Sequence, residues 1–109
     1  MNDAEFNALA DATLARLEAA LEAAVDAGAD FDFELAPGGI LEVEFDDGSK
    51  IVVNRHAANQ ELWIAAKSGG YHFARSGEQW IAARDGAEFF STLSAAIRDA
   101  SGEDFQLEA

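Results

Sequence analysis

The fold is decided by residues 30–54, which read DFDFELAPGGILEVEFDDGSKIVVN. Acidic and apolar residues alternate strictly over 30–35, and this period of two places the carboxylates on one side of a β-strand and the apolar side chains on the other. A second alternation spans 41–45, and 50–54 is a third strand-forming run. Because short turn sequences join these runs, the strands pair antiparallel. The stretch therefore predicts a β-meander with one apolar face and one polar face.

Three further short strands are predicted after this stretch, at 62–65, 71–73 and 79–82. Glycine-containing turns separate them, which extends the antiparallel meander. The polar residues 56–60 are predicted as a loop. Trp80 can face either side of its strand, and we expect it to be partly buried.

Helical spacing of apolar residues occurs on both sides of the predicted sheet. Between 4 and 27 apolar residues recur in steps of three and four with neither Pro nor Gly, which predicts an amphipathic helix that stops at Gly28. A second helix is predicted to start at Asp85, a candidate N-cap with Glu88 three residues later, and to end at Gly102. The tail keeps two apolar residues, which we expect to lie back on the body as a small plug: Phe105 and Leu107.

The order helix, meander, helix predicts the fold class. We expect an α+β two-layer sandwich, in which the N- and C-terminal helices pack on one face of an antiparallel β-sheet and the other face meets water. Neither a repeat nor a linker interrupts the sequence, so residues 1–109 are expected to form a single domain. A hydrophobic fraction of 50%, with eight Phe and two Trp, is enough for one modest core.

The composition restricts the class of partner. Twenty-one acids against seven Lys and Arg give a net charge of -14, which repels phosphate and anionic lipid, so we expect neither nucleic acid nor a membrane as a direct partner. The absence of cysteine excludes disulfides, thiolate metal sites and a cysteine nucleophile. The N-terminus carries acids where a leader needs bases, and no apolar run approaches about 18 residues. We therefore expect a cytoplasmic protein that is used from Met1.

Acidic residues are concentrated at the start of the chain, where 1–34 contain nine acids and one arginine, Arg16. Six of these acids run from the second half of the predicted helix into the first strand: Glu18, Glu22, Asp26, Asp30, Asp32 and Glu34. Neighbouring carboxylates can share a hard cation such as Fe²⁺, Fe³⁺, Mn²⁺, Mg²⁺ or Ca²⁺, weakly and with most of its water retained. The alternative is that these acids are the solvated faces of a helix and an edge strand. The scarcity of bases favours binding of a cation or of a basic partner.

Trp63 is the candidate anchor on the sheet. If Leu62 and Ile64 face the core, the period of two sends Trp63 to the open face, where a tryptophan is a common interface anchor. The alternative is a tryptophan that its neighbours half cover. Asn54 and Arg55 follow a predicted strand and are either turn residues or contact residues.

The two histidines carry no catalytic signature. His56 lies in the predicted loop and His72 in a short predicted strand, and neither has a second histidine or an obvious triad partner. We expect both to be structural or incidental.

Four segments, together with the acidic helix and strand, follow a known pattern. They are 1–6, 47–55, 62–65 and 67–73, which read MNDAEF, DGSKIVVNR, LWIA and KSGGYHF. With these segments the chain resembles the frataxin family, specifically its bacterial members, over essentially its whole length.

The resemblance implies a function and a set of site residues. Frataxins are small helix–sheet–helix sandwiches that act in iron–sulfur cluster biogenesis: they bind iron weakly on an acidic ridge and dock on the cysteine desulfurase and scaffold complex, where bacterial members act as regulators. By this similarity the six acids form the ridge, Trp63 is the exposed sheet tryptophan and Asn54 is the sheet-face asparagine near it. Ala19 and Ala23 stand where close relatives often have further acids. We expect a monomer, with oligomers only in the presence of iron.

Three functions of different classes fit the sequence. The first is a non-enzymatic iron-binding regulator and chaperone of iron–sulfur cluster assembly. The second is an acidic inhibitor, such as a DNA mimic, that binds a basic partner. The third is a ferroxidase, which we rank last because a di-iron oxidation site uses Glu-x-x-His ligands and the sequence lacks that motif. We therefore expect no enzymatic activity.

Overall fold

The computed structural model describes residues 1–102 and 105, and these residues form two helices and six strands. In chain order the elements are α1 (Asp3–Asp26), β1 (Phe31–Ala36), β2 (Ile40–Phe45), β3 (Lys50–His56), β4 (Glu61–Ala66), β5 (Gly69–Ser76), β6 (Gln79–Ile81) and α2 (Phe89–Ser101). A short 3₁₀ turn, Ala57–Asn59, joins β3 to β4.

The six strands form one antiparallel sheet in the order β1-β2-β3-β4-β5-β6, so each strand pairs with its neighbours in sequence. Both helices pack on one face of this sheet, and the core lies between the two layers. Its fully buried side chains come from both: Phe6, Leu17, Leu41, Ile64 and Phe89. The predicted α+β two-layer sandwich is confirmed.

The ends of α1 follow from its sequence. At the start, the N–H of Glu5 donates to Oδ1 of the N-cap residue Asn2 at 2.8 Å, which satisfies one of the helix's free donors. At the end, the chain passes through a left-handed Gly28 with φ 103°, and the N–H of Ala29 donates back to the carbonyl of Ala24 at 3.0 Å. The predicted stop is confirmed. Neither helix of the described chain combines the length and the apolar character that crossing a bilayer requires.

The start of α2 differs from the prediction. Glu88, not Asp85, is the N-cap, and its carboxylate accepts from the N–H groups of Phe90 at 2.7 Å and Ser91 at 3.0 Å. Asp85 instead closes a turn by accepting from the N–H of Ala87 at 3.0 Å. The intervening Gly86 has φ 75°, a left-handed conformation that a helix cannot contain. The predicted end is confirmed, since Gly102 at φ 72° is the C-cap.

Two strands differ from the prediction by more than one residue at an end. His56 is the last residue of β3 rather than part of a loop, because the β3–β4 ladder continues past Asn54 to the pair His56 and Glu61. β5 is longer than the predicted 71–73. Its polar residues fit in a strand because one face of the sheet meets water.

Trp80 is buried, so the expectation of partial burial is wrong. Its side chain is 1% exposed, and its ring packs edge-on against Phe6 with centroids 5.9 Å apart. The indole N–H donates to the hydroxyl of Thr13 at 2.9 Å, and the guanidinium of Arg75 lies 5.4 Å from the ring centroid. Full burial is possible because the one polar atom of the indole has a partner.

The tail returns to the body through Phe105. This residue is 8% exposed and packs edge-on against Phe31 with centroids 5.7 Å apart, while Arg98 donates to its carbonyl at 3.0 Å. The predicted plug is confirmed for Phe105. Leu107 lies outside the described residues.

Candidate functional site

The six predicted acids, here called the acidic ridge, occupy one edge of the molecule. Three come from the second half of α1, one from the connection to β1 and two from β1: Glu18, Glu22, Asp26, Asp30, Asp32 and Glu34. All are exposed except Glu18, which is partly buried. α1 packs against β1 at this edge, so the structure brings the helix and strand acids to the same side of the protein.

The two parts of the acidic ridge face different directions. Phe31 of β1 points to the core and is 3% exposed, so alternation sends Asp32 and Glu34 to the open face of the sheet, away from the helices. The helix acids lie on the flank of α1. Within residues 1–102 and 105, no three Asp, Glu or His side chains converge in a way that could hold a metal ion. The ridge therefore offers dispersed carboxylates and not a formed coordination site.

Two further acids join the ridge through the sheet register. Glu44 lies opposite Asp32, and Glu42 lies opposite Glu34, on the neighbouring strand β2. Like charges in directly opposite positions repel each other. Lys50 offsets part of this repulsion, since its Nζ is 3.7 Å from Glu44. Sequence reasoning did not include Glu42 and Glu44. Their position could have been predicted, because their alternation with Leu41 and Val43 places both glutamates on the open face of the sheet.

Asp11 shares the acidic flank of α1 but is neutralised. It forms an ion pair with Arg55 of β3, whose side chain is 20% exposed. The prediction of a turn at Arg55 is wrong, since Arg55 lies within β3 and contacts α1 through Asp11. The guanidinium lies over Gly39 in the β1–β2 turn, where an added Cβ would come within 2.9 Å of Arg55 Nε.

Gly39→Ala is expected to destabilise the fold by about 1–3 kcal/mol, because Gly39 has φ 77° and the new methyl group would displace Arg55 from Asp11. The matched control is Gly38→Ala, since Gly38 has φ 87° and open space around it. Urea unfolding of both variants separates backbone strain from the loss of the ion pair. Equal destabilisation of the two variants would show that the Arg55 contact contributes nothing.

Trp63 lies on the open face, as predicted, and its neighbours cover both faces of its ring. His56 stacks on one side at 4.0 Å and His72 on the other at 4.3 Å, each within 8° of parallel. Asn54 is the residue directly opposite Trp63 on β3. The alternative of a half-covered tryptophan therefore describes Trp63 correctly, with its edge left accessible.

Glu61 contacts two of the three stacked rings, those of Trp63 and His72. Its Oε1 accepts from the indole N–H of Trp63 at 3.0 Å and lies 4.0 Å from Nδ1 of His72. Nδ1 of His56 is buried and has no hydrogen-bond partner in the described chain. The three rings and the carboxylate form one unit, here called the tryptophan stack: His56, Glu61, Trp63 and His72.

The sequence predicted the two histidines to be structural or incidental, and it gave Glu61 no role in the site. The alternation along the strands places both histidines on the open face. His56 follows Asn54 by two positions, and His72 precedes the core residue Phe73. The contact itself depends on cross-strand register, which places His72 directly opposite Trp63.

The pKa of Asp47 is lowered by a hydrogen bond to its carboxylate from the Ser49 hydroxyl, and further by the Ser49 N–H. The two donors lie at 2.6 Å and 2.9 Å from the same carboxylate oxygen. This carboxylate shapes the β2–β3 turn and lies outside the acidic ridge.

The fold and these surfaces define a small acidic α+β sandwich protein whose candidate functional groups lie on an open sheet face and along one edge. A family model described as a frataxin-like domain matches residues 1–103. The chain belongs to the frataxin family, and the resemblance seen in the sequence is confirmed.

Individual relatives agree with this assignment. The chain is 58% identical over 105 residues to the iron-sulfur cluster assembly protein CyaY of Chromobacterium violaceum, with 96% of each chain covered. Among solved structures, a frataxin from Psychromonas ingrahamii superposes with a TM-score of 0.88 at 34% identity over 100% of both chains. A trimeric frataxin from the yeast Saccharomyces cerevisiae, complexed with ferrous iron, gives a TM-score of 0.75 at 26% identity with 87% of each chain covered.

Proposed function

We propose that this protein is an iron-binding regulator and chaperone of iron–sulfur cluster assembly and not an enzyme. It binds Fe²⁺ or Fe³⁺ weakly on the acidic ridge and docks on the cytoplasmic cysteine desulfurase and scaffold complex as a monomer, with oligomers only when iron is bound. The observation that carries the proposal is that the strand acids of the ridge and Trp63 lie on the same open face of the sheet. The name of the C. violaceum relative and the ferrous complex of the yeast frataxin support it.

Iron on this surface is cargo and keeps most of its water. The carboxylates are dispersed, and Ala19 and Ala23 remove possible neighbours on the helix. Hard cations accept such oxygen ligands singly or in pairs. Binding is therefore weak, poorly selective among hard cations, and easily reversed, which suits delivery better than storage.

Docking uses two kinds of contact. The net charge of -14 and its concentration at the ridge attract a basic surface on the partner and speed the encounter. The tryptophan stack then supplies a fixed aromatic group for the interface centre. Because the ridge serves both iron and partner, the two compete for the carboxylates or share them.

Titration with Fe²⁺ under anaerobic conditions, followed by amide chemical shifts, tests the iron site. We expect amide shift changes at residues 18–34 and at Glu42 and Glu44, which lie on the same face of the sheet as Asp32 and Glu34. Changes confined to other parts of the chain would remove the ridge assignment. Desulfurase turnover measured with this protein, with and without Fe²⁺, tests the regulatory role, and no effect in either condition would contradict it.

The dispersed surface acids also fit an acidic inhibitor that imitates nucleic-acid phosphates. Such a protein binds a nuclease or another DNA-binding protein tightly and does not respond to iron. Affinity capture of partners at low salt, followed by challenge with Fe²⁺, separates the two functions. Recovery of the desulfurase supports the first, and recovery of a DNA-binding protein supports the second.

A further inference from the structure

The edge of the sheet opposite the acidic ridge is only half covered. β6 pairs with residues 74–76 of β5, and the chain then leaves the sheet through the connection to α2. In the described residues, the outer edge of β5 over 69–73 has no strand beside it. Backbone N–H and C=O groups of alternate residues in this half of β5 therefore point outward without a ladder partner.

A depression of about 940 Å³ follows this edge. Its lining includes consecutive residues of β5, from Gly70 to Ala74, which alternate between the two faces of the sheet. The depression therefore runs along the strand edge and not over one face. Tyr71 and Phe73 contribute apolar surface, and α2 forms the opposite wall with small side chains: Ser91, Thr92, Ala95 and Ala96.

The charge at the rim is mostly negative. Among the described residues, four carboxylates and one arginine border the depression: Glu61, Asp85, Glu88, Asp99 and Arg84. Arg84 stands over the ring of Tyr71 at 5.9 Å from its centroid, which directs its charge toward an aromatic face. The rim is thus complementary to a basic segment.

The edge lacks the usual protection against pairing. Exposed strand edges are commonly guarded by lysine, proline or a bulge, and residues 69–73 read GGYHF, with neither lysine nor proline. A second copy of this chain is an unfavourable occupant, because each copy carries a net charge of -14.

We infer that the outer edge of β5 is a docking site for an extended basic segment of a partner protein, which adds to the sheet beside β5. Strand addition uses main-chain hydrogen bonds for affinity and alternate side chains for selectivity. At about 3.3 Å per residue, the five uncovered residues 69–73 offer a ladder of about 16 Å. Apolar side chains of the segment then face Tyr71 and the wall of α2, and its basic side chains extend to the carboxylates of the rim, which lie on both sides of the strand edge. The site lies across the sheet from the acidic ridge and does not rest on iron binding.

The probe is an N-acetylated, C-amidated hexapeptide of alternating lysine and valine, titrated into the full chain at about 0.15 M salt, where the screening length is about 8 Å. We expect shift changes in β5 and at least tenfold slower hydrogen exchange at alternate amides of 69–73. The control peptide alternates glutamate and valine. It has the same valines as the lysine–valine peptide and the opposite charge. It should leave β5 unchanged.

Two variants with equal changes in charge locate the site. Asp85→Asn with Asp99→Asn is expected to weaken the affinity for the lysine–valine peptide about five- to tenfold. Glu22→Gln with Asp26→Asn on the ridge should change that affinity less than twofold. Asp85→Asn keeps a side-chain oxygen that accepts from the N–H of Ala87, so the turn before α2 is preserved in the first variant. The ridge variant impairs iron binding and not peptide binding, so failure of the two proposals is distinguishable.

Several outcomes overturn the inference. Binding that depends on Glu22 and Asp26, with shifts at 18–34, would show charge attraction to the ridge alone. Slow exchange at 69–73 without peptide, together with sedimentation as a dimer, would show that a second copy covers the edge. The absence of any change in β5 at saturating peptide would show that the edge accepts no strand.

Discussion

Trp63→Ala is expected to weaken binding to the cysteine desulfurase and scaffold complex by about 30-fold or more, the range of an interface hot spot. The indole lies in a continuous row of side chains across the middle of the sheet, with Asn54 on one side and His72 on the other. Alanine removes the ring and also leaves the two histidines without the surface that holds them parallel. Titration of the labelled protein with the partner complex measures the dissociation constant.

A conservative variant separates the anchor from its surroundings. Trp63→Phe keeps a ring between His56 and His72 but loses the hydrogen bond from the indole N–H to Glu61. We expect a smaller loss, about three- to tenfold, if the stacked ring is the main contribution. Equal urea midpoints for the parent and the variants establish that the fold is intact. Binding of Trp63→Ala as tight as that of the parent would contradict the anchor role.

Removing two charges from the acidic ridge is expected to slow association with the desulfurase and scaffold complex and to raise the melting temperature of the protein. In Glu22→Gln with Asp26→Asn, the loss of two charges from the steering surface should lower the association rate at low salt about three- to tenfold. Stability should rise by about 1 kcal/mol, or about 4 °C, because two like-charge pairs a helical turn apart disappear, Glu18 with Glu22 and Glu22 with Asp26. Asp26 also lies in the last turn of α1, which holds no base, where the helix dipole disfavours an acid.

The opposite signs of the two effects make this test informative, since a slower association cannot then be caused by unfolding. Asp46→Asn with Glu78→Gln is the matched control, because both acids are exposed and lie outside the ridge. Salt and divalent cations should raise the melting temperature of the parent and of the control more than that of the ridge variant. A melting temperature of the parent that stays flat or falls from low to moderate salt would contradict the role of self-repulsion.

Local patterns were enough to predict the layers of the fold. Alternation in 30–35 and 41–45 predicts β1 and β2 within one residue at each end, and the spacing in 4–27 predicts α1. These periods reflect burial of one face, which both layers of the sandwich require. The acids at 18–34 and Trp63 were identified for the same reason, because exposed faces show in the alternation.

Features that depend on two distant segments were not predictable in this way. Trp80 is buried because α1 presents Thr13 to its indole, 67 positions away in sequence. The ion pair of Asp11 and Arg55 spans 44 positions. Each depends on how helix and sheet are placed relative to each other, which composition and period do not determine. The capping role of Glu88 was missed for a local reason, since Gly86 breaks the helix before it starts.

The stacking of Trp63 between His56 and His72 has an entropic consequence for recognition. A flexible aromatic side chain loses rotamer freedom when it enters an interface, at a cost of about 0.5–1.5 kcal/mol. Here the ring is held at 4.0 Å and 4.3 Å by parallel neighbours and by the hydrogen bond to Glu61. That freedom is lost on folding and not on binding, so the indole meets its partner already preorganised. Since the two histidines occupy both faces of the indole, a partner contacts the aligned edges of the three rings, which together form one rigid surface.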